Sequence, residues 1–249
     1  MYIWTAFPNI AKRQSVSCDI MTILATRHEI VKSKRIISSE LTKIQKALFS
    51  EEELKLYQED NQEDSYLKQF DCIKNEEINY SIFTKIISIH HSDIDTFPNK
   101  LTEKLAELFK TINANNFYII SHLKLDFFGN NDNNFKPLQD AHKKLEKIVG
   151  DKTFNEAFEI DITNLAEFIE ILFWITRCDA SAAEYIFLFD KDEQIQIHLC
   201  KYGNLHLTEY NTEKLNEKKL IELGWSVIEG QEIDKFEERG KIEGRKIQL

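Results

Sequence analysis

Glycine and proline are scarce: the 249 residues hold seven glycines and three prolines, and no glycine precedes Gly129. A first half with so little glycine cannot supply many tight left-handed turns, so it should be mainly helical. Cysteine is scarce too. Cys18, Cys72, Cys178 and Cys200 lie far apart with no C-x-x-C pair, which argues for reduced thiols in a cytoplasmic compartment rather than a secreted disulfide frame. Long apolar runs are missing: LAEFIEILFWIT, Leu165 to Thr176, carries Glu167 and Glu170 and is too short for a hydrocarbon layer of ~30 Å. No membrane is expected as a partner. The start, MYIWTAFPNIAKRQSVSCDIMTILA, lacks a basic segment followed by a clean apolar core, and Asp19 interrupts it, so no signal peptide is expected. Walker A, dinucleotide glycine, GxSxG and HExxH signatures are absent, and no cofactor is expected.

What the chain has in plenty is acid, with a net charge of -10. Residues 1–50 carry eight Lys/Arg against three Asp/Glu, or +5, and the remainder carries 24 against 39, or -15. An acidic body repels phosphates, so nucleic acid is disfavoured and a basic protein partner is favoured. Arg27, Lys32, Lys34 and Arg35 in the basic start have no zinc-finger or RNA-binding signature beside them, and a solvated helix face or internal pairing is their plainer role. The densest acid lies in EEELKLYQEDNQED, Glu51 to Asp64, with seven acids against Lys55. It reads as a solvated helix end, or as a surface complementary to a basic partner.

Periodicity places the elements. Leu41, Ile44 and Leu48 recur at helical spacing, Ser50 with Glu53 matches a capping box for a following helix, and another helix is expected from about Tyr66 to Ile89. Pro98 and Asn99 open an amphipathic helix with a Leu101, Leu105, Leu108, Phe109, Ile112 stripe. Residues 116–128 change to β-rich alternation, and a helix follows from about Pro137 to Val149. Asn164 with Glu167 opens an apolar helix that belongs in the core, and a helix from Thr212 to Leu223 ends at Gly224 before a last strand, Trp225 to Glu229. The fold class expected is α+β: a helical N-terminal region, then an antiparallel β-meander packed on helices. Residues 1–115 form the helical region, 116–235 the mixed region with the meander, and 236–249 a charged, loosely held tail whose Ile242-Glu-Gly-Arg245 has the look of a protease linker site.

The meander, Tyr185–Phe189, Gln194–Lys201 and Leu205–Tyr210, can be read by parity. An even-length DKDE loop pairs Phe189 with Gln194, and a three-residue Tyr202–Asn204 loop, with Asn204 left-handed, sets Cys200 opposite His206. One face then holds Ile186, Leu188, Ile195, Ile197, Leu199, Leu205 and Leu207. The other holds Tyr185, Phe187, Phe189, Gln194, Gln196, His198, Cys200, His206, Thr208 and Tyr210. Thiol and imidazole are zinc ligands, so His198, Cys200 and His206 form a candidate metal site, although no family spacing supplies a fourth ligand. A Cys-His nucleophile would need an orienting group and an oxyanion hole that the sequence does not display. Packing, or recognition of a partner, is the plainer use of an aromatic face.

Two weaker candidates complete the sequence reading. His90, His91, Asp93 and Asp95 in HHSDID match no ligand motif and read as a polar loop. DFFGNNDNN, Asp126 to Asn134, has its glycine too early for a calcium-hand loop and reads as a surface turn.

In general character, an acidic chain rich in Lys, Asn and Ile with hairpins and acidic stretches, the sequence resembles bacterial immunity proteins that neutralise toxins of rival cells. The resemblance rests on that character and carries no residues over. It implies a non-catalytic module that inhibits a basic toxin domain by charge-complementary binding. Glu51, Glu52, Glu53, Asp60, Asp190, Asp192, Glu193, Tyr185, Phe187 and Tyr210 are the expected partner-binding residues. The rival expectation is a metal-dependent or Cys-His hydrolase using His198, Cys200 and His206.

Overall fold

Strands that are apolar on both faces must be covered on both faces, and this requirement organises the molecule. In the computed structural model, which describes residues 23–236 and 242–245, the strands are β1 (Ile23–Ala25), β2 (Ile82–Ser88), β3 (Asn116–Ser121), β4 (Ala157–Asp161), β5 (Ile186–Asp190), β6 (Ile195–Leu199), β7 (Leu205–Tyr210) and β8 (Ser226–Ile228). They form one antiparallel sheet in the order β1-β4-β3-β5-β6-β7-β2-β8. Its two edges, β1 and β8, are three residues each, which leaves little free ladder to pair with other chains. The fold class is α+β as expected. The 115/116 boundary falls between a helix and β3 inside this one sheet, because β1 and β2 come from the first region.

One sheet face packs on α5 (Phe97–Ile112), α6 (Lys136–Val149) and α7 (Leu165–Cys178). The Leu101, Leu105, Leu108, Phe109, Ile112 stripe of α5 is buried as its spacing requires, and Pro98 sits in its first turn. All seven residues of the apolar meander face join this core. The opposite face lies under α1 (Arg27–Ser33) and α2 (Arg35–Leu48), where Ile30, Ile37 and Leu41 cluster with Tyr118, Ile120, Phe187, Phe189 and Tyr210. The aromatic meander face is therefore a second core, and Phe187 and Tyr210 are buried rather than offered to a partner.

The meander registers differ from expectation by two residues, with parity and therefore face assignment intact. Phe189 pairs with Gln196, because the buried Asp190 carboxylate accepts from the amides of Gln194 and Ile195 at 2.7 and 2.8 Å and thereby caps a Lys191–Gln194 loop. His198, not Cys200, pairs with His206. Cys200 N donates to Asn204 O at 2.9 Å, so the three-residue tip is Lys201–Gly203, and Gly203 rather than Asn204 takes the left-handed conformation, at φ +78°. Glycine does so without a Cβ clash, which decides the position of the loop.

Other departures are local. The expected Tyr66–Ile89 helix stops with α4 (Glu63–Gln69), and Ile82–Ser88 is β2 because its β-branched residues gain more from pairing with β7 than from a helical face. α8 covers only Glu217–Glu222, capped by the Asn216 side chain accepting from Lys219 N at 3.0 Å. Asn164 does not cap α7 with its side chain. Asp126–Asn134 is more than a surface turn, since Phe127, Phe128 and Asn133 are buried. The N-terminal segment with Cys18 and most of the 236–249 tail lie outside the described residues. Within the tail, Arg245 is tied down, its Nη1 donating to the carbonyls of Thr176 and Arg177 at 3.0 and 2.9 Å.

Candidate functional site

Two groupings of the expected site residues emerge, and they are separate. The first is at the loop end of the β6–β7 hairpin. Because β6 and β7 are antiparallel and Cys200 lies two residues beyond His198 on the same face, His198, Cys200 and His206 do come together. The chain then adds a fourth group that the sequence did not flag. Glu232, in the segment after β8, accepts from His206 Nε2 at 3.0 Å, from Cys200 Sγ at 3.1 Å and from Asn204 Nδ2 at 3.1 Å. Donor atoms of Cys200, His206 and Glu232 lie within 4.8 Å of one another, with Cys200 half-buried. His198 is outside this donor group. Its ring packs against those of His206, Tyr185 and Phe187 at 5.2, 5.1 and 6.0 Å, and its Nε2 is 3.3 Å from the Glu184 carbonyl.

Glu232 is held in place by its neighbours in sequence. Asp234 pairs with the buried Arg177 at 3.0 Å, Lys235 donates to the Ile89 carbonyl at 2.8 Å, and Phe236 packs on Phe97 and Phe173. A cavity of about 350 Å³ opens beside the cluster, lined by Asp179, Ala183, Tyr185, Tyr202 and Arg245 besides the cluster itself.

The electrostatics argue against a Cys-His nucleophile. Burial, with the Glu232 carboxylate adding to it, pushes the Cys200 thiol up to about 12, the reverse of the depressed value a thiolate nucleophile needs. Burial drives His198 down to about 3, with the adjacent His206 contributing, so its ring is neutral near pH 7. For Glu232 burial acts upward, yet the hydrogen bonds from Cys200 and Asn204 and the nearby imidazoles outweigh it and hold the carboxyl below its ordinary range. The thiol is thus a hydrogen-bond donor to a carboxylate.

The second grouping is acidic. α3 (Glu51–Glu59) and α4 (Glu63–Gln69) form a helical hairpin in which seven acids face Lys55 and Lys68, a balance of -5. Ser50 caps α3, accepting from Glu53 N at 3.2 Å; Glu53 does not complete a reciprocal box, because Ser50 N donates instead to Tyr66 Oη at 3.0 Å. Three glutamates in the first turn complement the helix dipole. α3 buries no residue, and Leu56 and Leu67 are 61% and 41% exposed. What fixes the hairpin is its base, where Tyr66 packs on Phe49, Tyr57 and Phe70 with ring centroids 5.7, 4.9 and 4.9 Å apart.

Glu51, Glu52, Glu53 and Asp60 are all exposed on this hairpin. The acids of the β5–β6 loop do not join them. Asp190 is the buried loop cap, and Glu193 accepts from the amides of Ile36 and Ile37 at 2.7 and 3.0 Å, so it caps the N-terminus of α2. α3 starts beyond the other end of α2, a 14-residue helix about 20 Å long, which leaves Asp192 as an exposed acid far from the hairpin. Tyr185 is half-buried at the cavity. In the HHSDID segment, Asp93 accepts from Thr96 Oγ1 at 2.6 Å and His91 Nε2 lies 2.8 Å from the same hydroxyl, a polar loop as expected.

Of Arg27, Lys32, Lys34 and Arg35 in the basic start, two are engaged internally, while Lys32 and Arg35 line a surface cleft. Arg27 is fully buried and paired with Asp71, and Lys34 donates to the Lys191 carbonyl. Among the described residues no helix is long and apolar enough to cross a membrane. No protein-family model, curated protein or solved structure matches the chain.

Proposed function

We propose that this chain is a non-catalytic protein-binding module that takes a basic partner on the α3–α4 hairpin, as an immunity protein takes a basic toxin domain. The observation that carries the reading is a helix whose every side chain remains accessible, dense in acid, mounted on a packed aromatic base. A nine-residue helix is marginal by itself in water, so the capping, the dipole-complementary acids and the base that maintain it preserve a preformed surface. Exposed Leu56 and Leu67 among the acids supply apolar contact, and the acids supply steering and register.

The test compares the wild type with a variant carrying Glu51→Gln, Glu52→Gln, Glu53→Gln, Glu59→Gln and Asp60→Asn as baits in the same cell extract. The expected result is a basic protein retained by the wild type, released by salt, and at least about tenfold depleted on a variant whose circular dichroism spectrum shows the fold and its helix content retained. An identical set of retained proteins on both baits would refute the reading.

A further inference from the structure

The residues around Glu232 combine three unlike donors at one point. A thiol, an imidazole and a carboxylate meet from three chain segments: the β6–β7 loop, β7 and the segment after β8. Magnesium and calcium favour shells made of oxygen, whereas a mixed sulfur, nitrogen and oxygen set suits a borderline metal such as zinc. We propose that Cys200 Sγ, His206 Nε2 and the Glu232 carboxylate bind one divalent cation of the zinc class, with the neighbouring cavity giving the fourth position to water or a small ligand.

The geometry is close to what such an ion needs. Tetrahedral bonds of about 2.0–2.3 Å place ligand atoms roughly 3.3–3.8 Å apart. Here Glu232 Oε1 is 3.0 Å from His206 Nε2 and Glu232 Oε2 is 3.1 Å from Cys200 Sγ, and one donor atom from each of the three residues can be chosen with all of them within 4.8 Å, so side-chain adjustments of about an ångström suffice. The scaffold is already rigid: the β6–β7 ladder fixes His206, the loop bond from Cys200 N to Asn204 O fixes Cys200, and Asp234, Lys235 and Phe236 fix the Glu232 segment. Asn204 donates to the carboxylate, the kind of outer contact that orients a ligand. His206 is 38% exposed at its side chain, so an ion has a route in.

Such an ion would clamp the segment after β8 to the central hairpin. Three protein ligands leave an open position facing a cavity, the arrangement of a site that can exchange a bound water. The inference is independent of the partner surface on α3–α4.

The full-length chain, stripped with a chelator and shown to be reduced, is titrated with zinc and separately with cobalt, with magnesium as control. One zinc per chain is expected, with a raised melting temperature, and cobalt should give thiolate charge-transfer absorption that disappears in Cys200→Ser. His206→Ala and Glu232→Gln should each weaken zinc at least about tenfold, since even outer contacts commonly contribute that much. Both side chains are partly exposed, 38% for His206 and 18% for Glu232, and apo melting curves check that each variant folds. His198→Gln, outside the donor group, should keep one zinc per chain. Absence of stoichiometric zinc from the wild type, zinc undiminished in all three ligand variants, or zinc lost with His198→Gln would overturn the assignment.

Discussion

Asp71→Asn should cost this protein about 3 kcal/mol, for a reason that can be followed atom by atom. The Arg27 side chain has no exposure; its Nε donates to Asp71 Oδ2 at 2.7 Å, Nη1 to the Ser121 carbonyl at 2.5 Å, and Nη2 to the His122 carbonyl at 3.3 Å. Among the described residues Asp71 supplies the only anionic partner of that guanidinium, and its other oxygen accepts from Gln45 Nε2 at 3.0 Å, so α1, α2 and the segment after α4 are joined through it. Losing neutral hydrogen bonds costs about 0.5–1.5 kcal/mol, while breaking a buried pair and stranding a charge costs about 3–5 kcal/mol. The Asp71 side chain is 25% exposed, so water can partly replace it and the low end of that range applies. Set against a typical total of about 5–15 kcal/mol, the loss should lower the urea midpoint by about 1–1.5 M at an m-value of about 2–3 kcal/mol/M. The pair also predicts a pH signature. Burial acts to raise the Asp71 pKa, but the Arg27 charge and hydrogen bonds outweigh it and hold the carboxyl below its usual value. Its stabilisation is therefore complete above the unfolded-state pKa and fades as pH falls through the lower folded value. Arg27→Met with Asp71→Ala, which leaves no stranded charge, should be less destabilised than Asp71→Asn. A change under about 1 kcal/mol for Asp71→Asn would refute the reasoning.

Two further perturbations follow from the packing. Burial, with Arg27 adding a smaller contribution, pushes His122 down to about 4, so the fold holds it neutral while the unfolded chain protonates it near 6.5. His122 alone should then remove about 3 kcal/mol of stability as pH drops from about 6.5 to about 4, in addition to the loss from His198, and denaturation of His122→Gln across that window should show a flatter profile than the wild type. Gly203→Ala meets both a φ of +78° and a Cβ position 2.7 Å from Phe236. It should lose about 1–3 kcal/mol in thermal unfolding and loosen the segment that carries Glu232, seen as faster amide exchange around residues 231–236.

The sequence was most readable where an error of two residues does no harm. Side chains alternate with period two, so the faces of the meander came out correctly even though both registers are shifted. The shifts come from single groups, the Asp190 carboxylate capping one loop and Gly203 taking the left-handed place in the other, and periodicity carries no information about either. Cover on the aromatic face was the harder matter. Phe187, Phe189 and Tyr210 opposite an equally apolar face are the signature of a strand buried on both sides, and that signal was available. Residues 82–88 break the helical period because their run of β-branched residues favours pairing with β7 over continuity with the preceding helix. Glu232 had no local signal at all. It is 26 positions beyond His206, and only the return of the chain past β8 brings the carboxylate to the hairpin.

Hydrogen exchange on the chain with the proposed basic partner bound tests the central claim most directly. The account predicts slowed exchange concentrated in α3 and α4, residues 51–69, with the aromatic sheet face unchanged because it is already buried. Protection elsewhere, with the hairpin exchanging as it does in the free protein, would contradict it.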